Sequence, residues 1–225
     1  MTSGTNVRLT AADGHTFDAY EVHPDGAASS IVVIQEIFGV NDHIRSVVDR
    51  YAAFGYRVIA PALFDRVEAG VELGYDDAGI GRGRELAGEV KWGPAMHDTT
   101  AAARHVAATG PVGIVGFCFG GSVAWLAGCE LPVAAAVGYY GGQVHELNGH
   151  EPTAPTMLHF GEIDHAIPLE HVDAIRAAHP DVSLHVYDRA QHGFACDARG
   201  SYDALSATIA FGRTLGFFVS NGVRP

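Results

Sequence analysis

The chain has 225 residues, with 14 basic and 26 acidic side chains and a formal net charge of −12, so no broad attraction to nucleic acid or an anionic membrane is expected. Hydrophobic residues make up 48% and charged residues 18%, a balance that buries a large core and excludes a disordered chain. Three scattered cysteines, Cys118, Cys129 and Cys196, do not make a disulfide scaffold.

In chain order, the first ten residues lack the basic-then-apolar pattern of a signal peptide. Residues 7–10 and 17–23 flank a turn at Ala11 to Gly14 and predict a hairpin at one sheet edge. Residues 31–34 read as a buried strand that stops at Gln35 and Glu36, far short of the ~20 apolar residues that span a bilayer. Ile44, Val47, Val48, Tyr51 and Ala52 follow at helical spacing, and Gly55 ends that helix. After a strand at 56–60, the glycine-rich stretch 61–93 predicts a long irregular excursion, functional or partly helical. Pro94 opens a helix closed by Gly110, and 112–115 is a buried strand leading to a small-residue helix at 122–129. Strands at 134–139, 156–160 and 183–187, a helix at 169–179 and a terminal helix at 201–219 complete the pattern. This alternation predicts a mostly parallel central sheet flanked by helices, in one α/β domain over residues 1–225 without a large cap. The expected setting is cytoplasmic.

The sharpest motif is Gly116-Phe117-Cys118-Phe119-Gly120-Gly121, between a buried strand and a helix. That is the setting of a nucleophile elbow, with Cys118 in place of the usual serine, and points to an α/β-hydrolase fold. A helix N-terminus favours thiolate over thiol, so a cysteine is chemically suited to the position. In such folds the acid and then the base follow in the chain. Asp164, after the strand at 156–160, and His192, after the strand at 183–187, take those places. Parallel strands would bring all three to one sheet edge, where ligand sites form. Glu162 competes with Asp164, and His165 is a weaker competitor for the base. His171 and His179 are expected to be solvated. With no H-E-x-x-H and no paired C-x-x-C among 13 histidines and three cysteines, neither a metal nor a cofactor is expected.

The segments Gln35 to Asn41, Gly116 to Gly121, Gly138 to Gly141, Gly161 to Asp164 and His192 to Phe194 together resemble the dienelactone hydrolase (carboxymethylenebutenolidase) family over nearly the whole chain. The resemblance implies a Cys118–His192–Asp164 triad that opens a small lactone or ester through an acyl-enzyme. It implies that Glu36 contacts the resting thiol and helps deprotonate it once substrate binds; capping of the helix near Asn41 is the competing role for Glu36. The oxyanion would be held by the backbone N–H groups of Ile37 and Phe119. The family's relatives grip a substrate carboxylate with two arginines. One matches Arg84, with Arg82 the alternative; the other falls on Cys196, beyond which the nearest basic residue is Arg199. A relaxed preference for acidic substrates is therefore expected. A general esterase or thioesterase with the same triad, and a non-catalytic binding protein of this fold, are the alternatives. A redox role for Cys118 lacks a nearby resolving cysteine. The expected partner is a small-molecule lactone or ester, with no nucleic acid or membrane, and the chain is expected to be a monomer or weak homo-oligomer.

Overall fold

A computed structural model describes residues 4–225. Eight strands form one sheet: β1 (Thr5–Thr10), β2 (Thr16–Val22), β3 (Ser30–Ile34), β4 (Arg57–Pro61), β5 (Val112–Phe117), β6 (Ala135–Tyr139), β7 (Thr156–Gly161) and β8 (Ser183–Tyr187). Their spatial order is β1-β2-β4-β3-β5-β6-β7-β8. The β1–β2 hairpin and the β2–β4 pair are antiparallel, and every other pairing is parallel. The polar hairpin sits at the edge with β1 largely exposed, whereas β3 and β5 are buried along their whole length. Strands covered on both faces read as continuous apolar runs, which is why 31–34 and 112–115 stand out in the sequence.

Six helices cover the sheet: α1 (Asp42–Ala53), α2 (Asp77–Glu89), α3 (Trp92–Val106), α4 (Phe119–Glu130), α5 (Leu169–Ala178) and α6 (Ala204–Ser220). Asn41 caps α1 by accepting a hydrogen bond from the Ile44 N–H, which leaves Glu36 out of that role. Helix α4 is buried from Phe119 to Cys129, as a helix apolar on all sides must be. The excursion at 61–93 is partly ordered: a 3-10 turn at Leu63–Arg66, then α2, whose start is fixed by Asp76 accepting from the Gly79 N–H. Glycines at 79, 81, 83 and 88 hide that helix from a periodicity argument, and Leu86 is its one large buried apolar side chain. No helix is long and apolar enough to cross a membrane among the described residues.

One expectation fails. His179, expected to be solvated, is buried, because α5 ends against α4: its ring stands edge-on to Trp125, centroids 4.9 Å apart, and its Nε2 meets the Asn148 carbonyl at 3.0 Å. His159 is a core histidine too, bonded to the Tyr187 hydroxyl at 2.8 Å and to Thr214 at 3.1 Å, and burial drives its pKa well below the ordinary value.

The topology also fixes where a site can be. From β3 the chain continues to β4 on one side, while β5 flanks β3 on the other. A crevice therefore opens beyond the C-terminal tips of β3 and β5. Glu36 and Ile37 follow the tip of β3, and Cys118 follows the tip of β5.

Candidate active site

Cys118 caps the N-terminus of α4 with φ 54° and ψ −115°, a backbone state that favours glycine. The turn is tight: a Cβ on Gly116 would stand 1.8 Å from the Gly120 carbonyl oxygen. This geometry lifts the thiol off the sheet edge, and Cys118 is partly exposed while Cys129 and Cys196 are buried. His192 Nε2 lies 3.1 Å from Cys118 Sγ, and His192 Nδ1 lies 2.8 Å from Asp164 Oδ2. The structure thus brings Cys118, His192 and Asp164 into one hydrogen-bonded chain. Burial alone would lower the pKa of His192, but the Cys118 charge and the hydrogen bonds to Asp164 and Cys118 raise it to about 10.

The competitors lie elsewhere. Glu162 points outward and accepts a hydrogen bond from the Arg189 N–H at 2.9 Å. His165 is exposed. Ser122 exchanges hydrogen bonds with Gln143, so its hydroxyl is already engaged.

Glu36 is fully buried at the foot of the crevice. Its Oε2 accepts from the Tyr75 hydroxyl at 3.1 Å, and Arg199 Nη1 stands 3.6 Å from its Oε1. The expected contact with the resting thiol is not among its hydrogen bonds. A phenol and a guanidinium are stronger partners for a buried carboxylate than a thiol is. Burial and the Glu36 charge together push the Tyr75 hydroxyl well above its ordinary pKa, so it stays a donor.

Ile37 and Phe119 border the same space, and their backbone N–H groups donate in none of the turn, loop and cap hydrogen bonds of the described residues. Helix α2 packs tightly on Ile37: a Cβ on Gly83 would stand 2.2 Å from the Ile37 carbonyl oxygen. That contact sets exposed Arg84 over the crevice, which is a cleft of about 330 Å³ lined by Ile37, Arg84, Cys118, Gln143, His192 and Arg199 among others. Arg82 points away and is paired with Glu68 at 2.5 Å and Glu85 at 3.1 Å. Arg199 does reach back, lying over the rings of Phe38 and Tyr75 with its guanidinium carbon 5.7 and 5.9 Å from their centroids.

Two further residues beside the site escape a reading of the sequence. Tyr75 lies in the glycine-rich excursion with no motif around it. Tyr140, with φ 38° and a fully buried ring 5.1 Å from that of His192, is signalled only by Gly138-Tyr139-Tyr140-Gly141.

Residues 17–221 match the dienelactone hydrolase family. The chain is 36% identical to a "Putative carboxymethylenebutenolidase" of Yersinia pestis, over 94% of this chain and 86% of that protein. It is 34% identical to the carboxymethylenebutenolidase of Pseudomonas putida, over 96% of each. A solved structure described as a "Putative Dienelactone Hydrolase" from Klebsiella pneumoniae is similar with a TM-score of 0.81 at 29% identity, covering 96% of this chain and 99% of that one.

Proposed function

Because the chain belongs to the dienelactone hydrolase family, we propose that it hydrolyses a small lactone or ester, preferentially an acidic one, through an acyl-thioester on Cys118. The observation that carries this reading is the single imidazole bridging Cys118 Sγ at 3.1 Å and Asp164 Oδ2 at 2.8 Å.

Asp164 fixes the ring so that Nδ1–H points inward and Nε2 faces the thiol. The raised pKa of His192 lets the ring hold the proton that leaves the Cys118 thiol. The thiolate attacks the carbonyl carbon, and the developing oxyanion is met by the N–H groups of Ile37 and Phe119. Imidazolium then gives its proton to the departing oxygen. In a lactone that oxygen stays tethered to the acyl group, so nothing leaves until hydrolysis. Water, deprotonated by His192, attacks the thioester carbonyl; the C–S bond then breaks, the acid is released, and the Cys118 thiolate and the imidazolium restore the resting pair.

Glu36 assists the first step when substrate disturbs its bonds to Tyr75 and Arg199. Arg84, free of any ion pair among the described residues, reads a substrate carboxylate, while the charge of Arg199 is shared with Glu36. That division supports a relaxed rather than strict acidic preference. The whole chain acts as one domain in this scheme.

The test is mass spectrometry on protein quenched during turnover of an activated ester. An acyl adduct on Cys118 is expected. An adduct on Ser122, or a Cys118→Ala variant with full activity, would overturn the reading.

A further inference from the structure

A second thiol, imidazole and carboxylate meet behind the crevice. The ligand atoms of Glu36, His43 and Cys196 all lie within 4.8 Å of one another, and all three residues are buried. We propose that these three side chains form a binding site for a thiophilic divalent cation, with Zn²⁺ the ion whose chemistry fits best.

Two observations point to a ligand here. His43 Nε2 and Glu36 Oε1 are both buried and have no hydrogen-bond partner, though burying such atoms unpaired is unfavourable. The other nitrogen of His43 is taken: its Nδ1 lies 3.0 Å from Asp197 Oδ1, and Asp197 is itself held by Arg50 at 3.2 Å. A carboxylate behind the imidazole favours the tautomer with its proton on Nδ1, which leaves the buried Nε2 as the free lone pair. That is the arrangement found behind metal-bound histidines.

The donor set is one thiolate, one imidazole and one carboxylate oxygen, a zinc set rather than a calcium or magnesium one. Zinc at about 2.0–2.3 Å from each ligand needs ligand atoms about 3.3–3.8 Å apart, so shifts of about 1 Å close the cluster. A water would complete a tetrahedron. Charge also balances: thiolate and carboxylate together offset the two charges of the ion. Burial first, and then the Glu36 charge, push the Cys196 thiol up to about 12, so binding must displace its proton to solvent. The opposing feature is Arg199, 3.6 Å from Glu36 Oε1. Its side chain is partly exposed and borders the cleft, so it can turn outward as the ion enters.

The consequence for turnover rests on the role given to Glu36 above. A carboxylate locked on zinc cannot assist Cys118, so the ion acts as an inhibitor.

The experiment uses the full chain with Co²⁺ as a spectroscopic probe and Zn²⁺ as competitor. One equivalent of Co²⁺ is expected to give a near-ultraviolet thiolate-to-cobalt charge-transfer band, which zinc abolishes. The band should survive Cys118→Ala and Cys129→Ala and vanish in Cys196→Ala. Asp197 is half exposed and Asp197→Asn is conservative, so that variant keeps the test open if Cys196→Ala does not fold; it should weaken binding about 10- to 100-fold. No band in the wild type, or a band lost in Cys118→Ala and kept in Cys196→Ala, overturns the site. A band that follows Cys196 while zinc leaves turnover unchanged supports the site and overturns the role of Glu36 instead.

Discussion

Two clusters in this molecule use the same three functional groups, a thiol, an imidazole and a carboxylate, and arrange them differently. Around Cys118 the imidazole stands in the middle, with one nitrogen on the thiol and the other on Asp164. Around Cys196 the imidazole of His43 is held from outside by a carboxylate, Asp197, and the ligand atoms of His43, Cys196 and Glu36 gather within 4.8 Å of one another. The linear order suits proton transfer, since a proton taken at one end is stabilised by charge at the other. The convergent order has no such relay and suits a cation. Accessibility separates them further: Cys118 opens to the cleft, while Cys196 is completely buried.

The two thiols are expected to differ most. Cys118→Ala is expected to reduce turnover on the order of 10⁶-fold with little change in melting temperature. At neutral pH, iodoacetamide should alkylate Cys118 and spare Cys196, whose thiol is held protonated; peptide mapping reads both, and alkylation confined to Cys196 would reverse the assignment.

The role proposed for Glu36 links the two clusters, and its substitution tests that link. Glu36→Gln should slow acylation by roughly 10²–10⁴-fold in single-turnover experiments while changing substrate affinity little. An unchanged acylation rate would leave Glu36 with the second cluster alone.

A smaller effect is expected at the mouth of the cleft. Arg84→Ala should lower kcat/KM for an acidic lactone by roughly 10- to 100-fold, the worth of one hydrogen bond to a charged group. The methyl ester of the same substrate should be nearly unaffected. Equal losses on both substrates would remove Arg84 from carboxylate recognition.

The smallest effect is in pH. His192 has a folded pKa of about 10, above its ordinary 6.5, so its contribution to stability is fully present below pH 6.5 and is lost as pH rises toward 10. Unfolding free energy should therefore fall between pH 7 and 10 more steeply in the wild type than in His192→Gln. Turnover should change by less than about tenfold from pH 7 to 9 and drop near pH 10, where the imidazolium loses its proton.

How much of this was readable from residues alone differs between the clusters. The elbow is written in its glycines, because a strained turn packed at van der Waals contact permits little else at positions 116, 120 and 121. Asp164 and His192 follow from chain order once parallel strands are inferred. The second cluster joins residues 36, 43 and 196, from three segments with no fixed spacing, so no sequence pattern could announce it. Tyr75 is hidden for a related reason: its partner Glu36 is 39 positions away, and the helix after it is obscured by glycine. Arg199 needed the fold of the segment after His192, which returns it over Phe38 and Tyr75.

The backbone at Cys118 carries one more consequence. A side chain held at φ 54° and ψ −115° stores roughly 1–3 kcal/mol of conformational strain, and glycine would occupy the same angles at ease. Under the role proposed for Cys118, relief of that strain and turnover compete for a single pair of torsion angles, and a screen that rewards survival alone would be expected to admit Cys118→Gly.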